Sequence, residues 1–424
     1  MLKGKINKKN KVIFISLWPI TNFALKRIDI KTYEKNFEIE LHDLGLFINP
    51  KFSKTYKEED IKSYKIYKFN SYSEWLKRIL VLKKKYKKQK LLILSEISVN
   101  GIKSLICGLT LKALNCLIIH MEQPGHPING KEKTKTTSYS NKRINSKEIR
   151  KNIFNPIKVL YKKLSFSFQT LLRSFFLGNK MYILTVPNRV NSCRKLYPFS
   201  KIIVGSTYDY NNYLKDKKYS PEIILNKKYA LYIDGARPHI QGDEFLFRNK
   251  VRITPANWYP KLNNFFDLIE SELKLEVVIA GHPKTENTNL EKRFSGRRII
   301  FNKTKDLVKN CEFILTRMST AISFAVIYKK PIVFVMSNEL SQEKFFTESQ
   351  KKYLTSFSQE SLFIDGSKTL ILKEIKNLKI NEDKYKKFLN ENLTGSEKTN
   401  YFLINEIYKS LVEKKKSIIF NDLP

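Results

Sequence analysis

The sequence lacks the motifs of several large enzyme classes. It has no G-x-x-x-x-G-K-[ST], which argues against P-loop nucleotide hydrolysis, and no G-x-S-x-G, which argues against a hydrolase nucleophile elbow. No D-x-D triplet follows an apolar run, so a bridging divalent metal is not indicated. The 5 histidines are scattered, and none has cysteines or carboxylates at the spacing of zinc ligands, which argues against a zinc site. We therefore expect neither a metal ion nor a cofactor.

Cysteine is scarce, and its spacing excludes the common metal and redox motifs. The 4 cysteines form no C-x-x-C and lie in apolar surroundings. They are Cys107, Cys116, Cys193 and Cys311. This pattern predicts buried thiols in a reducing compartment, neither disulfides nor zinc ligands.

Long apolar runs are also missing. The most membrane-like stretch, 101–119, is interrupted by Lys103 and Lys112, whereas about 20 apolar residues are needed to span a bilayer. It predicts a helix over 101–113 followed by a strand. The apolar run at 12–20 is short and contains Trp18-Pro19, which favours a first strand over a signal peptide. We expect a cytoplasmic protein, with peripheral attachment to the inner membrane left open.

Acidic residues are few compared with basic ones. The formal net charge is +39, from 79 Lys+Arg and 40 Asp+Glu, which favours anionic partners. Lysine is nevertheless dispersed beside abundant Ile and Asn, as codon bias in an AT-rich genome would also produce. Without a known motif or a contiguous basic face, we expect no nucleic acid.

The basic charge is densest in one segment. Residues 131–180 hold thirteen Lys or Arg against two Glu, next to Phe- and Leu-rich runs. An interfacial helix on an anionic leaflet and a solvated loop followed by a core helix both fit this pattern. Residues 123–150, rich in Pro, Gly, Lys and Ser, predict a mobile loop at its start. The run from 83 to 88 predicts a solvated helix end.

Short apolar runs alternate with helical patterns along the chain, which predicts parallel sheets with crossover helices. The predicted strands are 12–16, 37–41, 91–94, 117–119, 182–185, 201–204, 229–233, 275–280, 298–301, 312–316 and 331–335. The tail from about 383 to 416 has helical spacing. We expect an α/β protein of two Rossmann-like domains that face a cleft: a first domain over 1–225 with a mobile basic segment near 123–180, and a second domain over 226–382. Helices over 383–424 would cross back to the first.

Two motifs in the second half predict a site for phosphate groups. Gly281-His282-Pro283-Lys284 follows a buried strand, and in a parallel sheet ligands bind beyond the carboxyl ends of the strands. An imidazole there can donate to a phosphate oxygen and offset charge on a departing nucleotide, and Lys284 can add a point charge. A plain turn with a capping histidine is the alternative.

The second motif follows the predicted strand 312–316. Ser319, Thr320 and Ser323 begin a helical pattern, and hydroxyls with unpaired N–H groups at a helix start can hold phosphate. An ordinary N-cap explains the same residues. Because His282 lies one βα unit earlier, we favour the phosphate site.

Carboxylates at strand ends are candidates for a general base toward a hydroxyl acceptor. Asp234, in Asp234-Gly235, follows the strand 229–233, and a plain turn is its alternative. The comparable positions in the first half, which give the acceptor-side candidates, are Glu96, Glu122, His126 and Asp209.

The two phosphate motifs resemble a known family. VVIAGHPKTE (277–286) with LVKNCEFILTRMSTAISFAVIYKKPIVFV (307–335) is similar to the C-terminal half of GT-B glycosyltransferases that build bacterial surface polysaccharides. The nearest types are sialyltransferases, polysialyltransferases and capsule-type transferases, with the glycerophosphotransferases of teichoic acid synthesis. The resemblance covers 229–335, and it implies that the domain over 226–382 binds the nucleotide sugar and that the domain over 1–225 binds the acceptor. It implies that His282 contacts the donor phosphate and assists its departure, and that Ser319 and Thr320 bind the phosphates.

The resemblance also orders the alternatives. The Asp234-Gly235 turn is similar to the loop whose carboxylate such sialyltransferases use for the acceptor hydroxyl. Glycerophosphotransferases carry an Asp before the Ser pair, where this chain has Arg317, which disfavours that alternative.

The sequence as a whole therefore predicts a metal-independent transferase. We expect it to take a nucleotide sugar, with CMP-linked donors favoured, and a surface-polysaccharide or lipid-linked acceptor in capsule or lipopolysaccharide synthesis. A glycerophosphotransferase-like polymer synthase, a non-enzymatic protein that binds nucleic acid or membrane, and an inactive partner subunit of this fold are the alternatives.

Overall fold

The computed structural model describes most of the chain. The described residues are 9–53, 61–87, 89–96, 102–122, 181–197, 199–217, 224–235, 238, 253–286 and 291–413. They form two compact units: the first holds the described residues up to 122, from 181 to 208 and from 396 onward, and the second holds those from 209 to 395. We call these units the first and second domains. The predicted basic segment near 123–180 lies outside the described residues.

Each domain has one parallel β-sheet. The strands are β1 (Asn10–Ser16), β2 (Phe37–Asp43), β3 (Ile66–Lys68), β4 (Leu92–Ser95), β5 (Leu117–Met121), β6 (Met181–Thr185), β7 (Lys201–Val204), β8 (Tyr229–Ile233), β9 (Glu276–Gly281), β10 (Ile299–Phe301), β11 (Phe313–Thr316), β12 (Ile332–Met336) and β13 (Ser361–Phe363). The first sheet has the order β3-β2-β1-β4-β5-β6-β7 and the second β10-β9-β8-β11-β12-β13. Every described pairing is parallel.

Helices connect these strands. They are α1 (Asn22–Arg27), α2 (Ile30–Tyr33), α3 (Gly45–Ile48), α4 (Pro50–Ser53), α5 (Tyr72–Lys85), α6 (Ile102–Ala113), α7 (Val190–Leu196), α8 (Tyr208–Asp216), α9 (Pro255–Leu273), α10 (Thr304–Asn310), α11 (Ile322–Ile327), α12 (Asn338–Ser341), α13 (Lys344–Phe357), α14 (Lys368–Lys376), α15 (Glu382–Phe388) and α16 (Asn400–Glu413). Short 3-10 segments cover Pro187–Arg189, Pro283–Thr285 and Glu291–Phe294, and a π-helical turn covers Leu389–Leu393.

The apolar runs of the sequence form strands because both faces of each sheet are covered. In β1, Ile13 and Ile15 pack with Trp75 of α5 on one face, whereas Val12 and Phe14 pack in the cluster on the other. All five are at most 1% exposed. Full burial of such a side chain is worth about 1.5–3 kcal/mol, so a run without alternation is stable in a parallel sheet.

The four cysteines are buried free thiols, as the sequence predicts. Burial raises the pKa of the Cys116 thiol to about 11, above its ordinary value, so it stays protonated at neutral pH. Within the described ranges, no helix is long and apolar enough to cross a membrane.

The predicted return of the C-terminal helices is confirmed for α16. Ile404 and Ile407 pack on the Val12 face of the first sheet, and the Tyr408 hydroxyl donates to the carbonyl of Lys90 over 3.2 Å. The side chains that α16 contributes to this cluster are Leu403, Ile404, Ile407 and Tyr408. The helix α15 instead belongs to the second domain, where the Tyr385 hydroxyl donates to the carbonyl of Lys330 over 2.9 Å.

Candidate functional site

Three neighbouring strands of the second sheet bring the predicted site motifs to one edge. Ile233 of β8 is paired with Ala280 of β9 and with Thr316 of β11. The residues that follow these three positions therefore leave the sheet side by side. They are Asp234 and Gly235 after β8, Gly281 and His282 at the end of β9, and Arg317 to Thr320 after β11.

The same edge contains the point at which the strand order reverses. From β8 the chain moves to one side through β9 and β10, and it then returns to the other side of β8 with β11, β12 and β13. The reversal lies between β8 and β11. Ligands of open α/β sheets bind at such switch points, because the connections on either side diverge and leave a crevice.

At the end of β9, a close contact requires glycine. A Cβ on Gly281 would lie 2.4 Å from Cε1 of Phe301. The next residue, His282, is partly exposed, and its carbonyl accepts hydrogen bonds from the backbone N–H and the hydroxyl of Thr285, both at 2.8 Å. Because Thr285 is fully buried, this 3-10 turn holds the backbone of His282 in place. The side chain of Lys284 lies outside what the structure describes.

The end of β8 carries a buried carboxylate. Asp234 is 3% exposed, and its N–H donates to the carbonyl of Ala280 over 3.1 Å. A Cβ on the following Gly235 would lie 3.3 Å from Nη2 of Arg317. The turn after β8 therefore packs directly against the arginine after β11.

Arg317 lies at the candidate site, and the sequence indicates it only as a departure from a family pattern. It is 5% exposed, and its guanidinium carbon lies 4.8 Å from the ring centre of Trp258 in α9. Its carbonyl accepts a hydrogen bond from Nε2 of Gln350 over 2.8 Å. Trp258 lies 59 residues earlier in the chain, so no local pattern could indicate this contact.

Asp234 and Arg317 act on the same buried tyrosine. Burial raises the pKa of Tyr259 to about 12; the charge of Asp234 adds to the rise, and Arg293 and Arg317 oppose it. The same two charges act in opposite directions on the pKa of Tyr232, which burial raises. A carboxylate and a guanidinium therefore lie close together at the switch point.

The turn after β11 differs in detail from the prediction. We expected a helix to start at Ser319, but α11 begins at Ile322 and has 6 residues. Ser319 Oγ accepts the N–H of Ala321 over 3.1 Å, so this hydroxyl caps the turn. The Ser319 carbonyl accepts the hydroxyl of Tyr353 over 3.3 Å. Ser319 and Thr320 are both partly exposed, so they can reach a ligand at the edge.

The structure brings Ser323 and Asp209 together. The Ser323 hydroxyl lies 2.7 Å from Oδ2 of Asp209 and 2.8 Å from the carbonyl of Thr320. Ser323 is 4% exposed, so its hydroxyl is committed to these acceptors. Asp209 belongs to the second domain together with Ser323.

The first sheet has its own switch point, between β1 and β4, and Glu96 lies at it. The Glu96 N–H donates to the carbonyl of Ile15 over 3.1 Å, and the Tyr208 hydroxyl donates to its Oε1 over 3.1 Å. Burial raises the pKa of Glu96, and the Tyr208 hydrogen bond and the charge of Arg27 offset only part of that rise. A carboxyl with a raised pKa at a ligand-binding edge is suited to proton transfer.

Glu122, after β5, has the opposite environment. Its Oε2 lies 3.0 Å from Nε2 of His120, and its Oε1 accepts a hydrogen bond from Arg189. Burial acts to raise the pKa of Glu122, but the hydrogen bond with His120 and the charges of His120 and Arg189 outweigh it and lower the pKa to about 2. The predicted candidate His126 lies outside the described residues. In the described part of the chain, no group of three or more His, Cys, Asp and Glu could hold a metal ion.

Comparisons with known proteins show similarity in structure and not in sequence. No protein-family model matches the chain, and no curated protein matches it by sequence. The wall teichoic acid polymerase TagF is similar at a TM-score of 0.51, with 14% identity over 96% of this chain and 90% of that chain. A variant of TagF soaked with CDPG gives a TM-score of 0.51, with 15% identity over 95% and 90%. A UDP-N-acetylglucosamine 2-epimerase has a TM-score of 0.48, with 13% identity over 97% of this chain and 98% of that chain.

These findings confirm the predicted fold class. The chain has two Rossmann-like domains, with parallel sheets of seven and six strands, and its fold is GT-B.

Proposed function

We propose that this chain is a glycosyltransferase that moves a sugar from a nucleotide-sugar donor to a hydroxyl of a surface-polysaccharide or lipid-linked acceptor. The observation that carries the proposal is the position of three motifs at one switch point. His282, Asp234 and Ser319 follow three adjacent strands of the second sheet. Phosphate-bearing ligands bind at such an edge in Rossmann-like domains. The resemblance of 229–335 to GT-B transferases supports the same assignment.

The donor phosphates are the ligand that we propose for the second domain. The donor-binding residues would be Gly281, His282, Pro283, Lys284, Ser319 and Thr320. His282 donates to a phosphate oxygen and, when protonated, stabilises the negative charge on the departing nucleotide. Ser319 and Thr320 supply hydroxyl donors from the turn after β11. Because these groups meet the phosphate charge, the proposed reaction is metal-independent.

Ser323, which the sequence also predicts at the phosphates, has a different role in this proposal. Its hydroxyl is committed to Asp209, so we propose that the pair fixes the turn that presents Ser319 and Thr320. Asp209 would then be a positioning residue of the donor domain.

Asp234 is proposed to position Arg317. With 3% of its surface exposed, it is poorly placed to meet an acceptor, and it lies beside the arginine whose Nη2 approaches Gly235. A buried guanidinium needs a nearby negative charge, and the pair would keep a fixed positive potential at the switch point.

The acceptor-side base that we propose is Glu96. Glu122 is bound by His120 and Arg189 and has a pKa near 2, so it is a weak base. Glu96 is partly exposed, lies at the switch point of the first sheet and has a raised pKa. Those properties let it accept a proton from an acceptor hydroxyl.

Glycerophosphate transfer from CDPG, as in a glycerophosphotransferase, is a second candidate function. The similarity to TagF favours it, since a variant of that polymerase was studied with CDPG. Arg317 disfavours it, because the glycerophosphotransferases that the chain resembles carry an Asp there. We retain CMP-linked sugars as the favoured donors.

The test is release of free nucleotide from CMP-, UDP- and GDP-sugars and from CDPG, measured by chromatography with water as the acceptor. We expect release from one donor class, reduced at least about 100-fold in Glu96→Gln and in His282→Ala. Glu312→Gln, at a half-exposed surface position, is the matched control and keeps full activity. No release by the folded protein, or an epimerised nucleotide sugar in place of free nucleotide, contradicts the proposal.

A further inference from the structure

The helix α5 of the first domain has an exposed face that its fold does not use. Trp75, Ile79 and Leu82 are buried against the first sheet. On the opposite side, Leu80 is 46% exposed and Val81 is 56% exposed. These positions share one side of a helix with Lys77 and Lys84, because residues three and four apart are neighbours. An exposed apolar pair between lysines is the pattern of an interfacial helix.

The end of α5 adds further positive charge. The exposed lysines in and directly after the helix are Lys77, Lys84, Lys85 and Lys87. The acidic residue of this helix is Glu74 in its first turn, which accepts the N–H of Asn70 over 3.0 Å. The charge therefore increases along the helix away from Glu74.

A cavity of about 310 Å³ opens beside this face. Its lining includes Lys11, Lys65, Tyr67, Arg78, Val81 and Lys85, together with Glu38 and Glu40. Val81 and Lys85 thus belong both to the exposed face of α5 and to the cavity. We call Leu80, Val81, Lys65, Lys77, Lys84, Lys85 and this cavity the α5 surface.

The two carboxylates of the cavity are already matched by other cations. Arg78 donates to both oxygens of Glu40 over 2.7 and 2.9 Å, and Lys11 Nζ lies 3.1 Å from Glu40 and 3.1 Å from Glu38. Burial acts to raise the pKa of Glu40, but the hydrogen bonds with His42 and Arg78 outweigh it and keep the carboxyl ionised.

The remaining cations leave the cavity positive. Lys65 Nζ lies 5.0 Å from the ring centre of Tyr67, and Lys85 Nζ lies 4.0 Å from Glu38 with 56% of its side chain exposed. Four cations and two carboxylates line the cavity, so its net charge is positive, and Lys65 with the half-exposed Lys85 can meet an anion there.

We propose that the α5 surface binds an anionic phospholipid bilayer. Leu80 and Val81 enter the acyl boundary, Lys77 and Lys84 meet the anionic headgroups, and Lys65 with Lys85 holds one lipid phosphate at the cavity. Each lysine is attracted to an anionic surface, and the apolar pair adds an attraction that salt does not screen. This inference does not rest on the transferase proposal.

The test measures binding to phosphatidylcholine vesicles with and without phosphatidylglycerol by co-sedimentation. Because the whole chain is basic, charge-matched controls decide the result. We expect Lys65→Glu with Lys85→Glu to weaken binding to the anionic vesicles at least about tenfold. Lys227 and Lys228 are exposed in the loop before β8, and Lys227→Glu with Lys228→Glu is the control pair. Its change in the logarithm of the vesicle affinity should be less than half that of the Lys65→Glu and Lys85→Glu pair.

The apolar contribution is tested separately at high salt. Leu80→Ser with Val81→Ser should abolish the binding that persists there, whereas the exposed control pair Leu370→Ser with Val412→Ser should not. Equal losses in the test and control pairs contradict the proposal. If inorganic phosphate stabilises the chain, and Lys65→Glu removes that stabilisation while vesicle binding stays unchanged, the cavity is assigned to a soluble phosphate. That result would overturn the proposal of bilayer binding. Preferential loss of RNA binding in the lysine variant would overturn it as well.

Discussion

The guanidinium of Arg317 stacks on the indole of Trp258, with 4.8 Å between the guanidinium carbon and the ring centre. Both residues are at most 5% exposed. This contact places a buried positive charge at the switch point of the second sheet, beside Asp234. It joins α9 to the turn after β11, which are distant in the sequence.

The Arg317 contact predicts a coupled loss of stability. Arg317→Met should lower the free energy of unfolding by about 3 kcal/mol, because it removes the stacking and leaves the charge of Asp234 buried without this cation. Adding Asp234→Asn should cost less than the sum of the two single changes. Urea denaturation measures both. Arg298→Met, at a half-exposed side chain, is the control and should cost at most about 0.5 kcal/mol. Additive losses would contradict the coupling.

The end of β9 predicts a steric effect. Gly281→Ala should cost about 1–3 kcal/mol, because its Cβ would meet the ring of Phe301 at 2.4 Å. Phe301→Leu in the same chain should recover part of that loss by removing the ring. Thermal denaturation of the single and double variants measures the effect. A Gly281→Ala variant as stable as the parent would show that the contact is not tight.

Glu96 and Glu122 predict opposite responses to pH. The pKa of Glu122 is lowered to about 2, so its stabilisation is present above the ordinary carboxyl range and is lost as the pH falls toward 2. Glu122→Gln should therefore cost roughly 3 kcal/mol at neutral pH and progressively less below about pH 5.

The pKa of Glu96 is raised, so its contribution is greatest below the ordinary carboxyl range and is lost as the pH rises through the raised pKa. Glu96→Gln should therefore gain stability relative to the parent chain as the pH rises. Denaturation series from acid to neutral pH test both variants. Parallel pH profiles for the two variants would contradict the assigned environments.

Ser319 and Ser323 should separate ligand binding from stability. Ser323→Ala should cost about 1–3 kcal/mol, because the hydroxyl bound to Asp209 is lost. It should weaken the stabilisation by nucleotide only moderately, because Ser323 positions the turn and does not itself contact the ligand. Ser319→Ala should lose less stability, about 1 kcal/mol from the lost cap on the Ala321 N–H, and should lose more of the stabilisation by nucleotide. Melting curves with and without nucleotide decide between these roles. A greater loss of nucleotide stabilisation in Ser323→Ala than in Ser319→Ala would place the Ser323 hydroxyl in the donor site.

The fold could be predicted because its strands are unbroken apolar runs, such as 12–16 and 229–233, which only burial on both faces explains. Sequence reasoning missed β3 (Ile66–Lys68) and β13 (Ser361–Phe363), since each is a three-residue edge strand with half-exposed side chains. The strand ends of the site were also predictable, because parallel strands align their carboxyl ends.

The partners of the site residues could not be predicted. The contacts of Glu96 with Tyr208 and of Ser323 with Asp209 join residues more than 100 positions apart. Each depends on how helices pack on the sheets, which local patterns do not record. The start of α11 at Ile322 was missed for a related reason, since the Ser319 hydroxyl caps a turn before the helix.

The most direct test of the account is thermal stabilisation of the purified chain by CMP, CDP, UDP and GDP. We expect one nucleotide to raise the melting temperature, His282→Ala to abolish most of that shift, and Lys227→Ala, a loop control, to retain it. This result would establish the nucleotide and its site together. A folded chain that no nucleotide stabilises, or a shift that His282→Ala leaves unchanged, would contradict the proposed donor site.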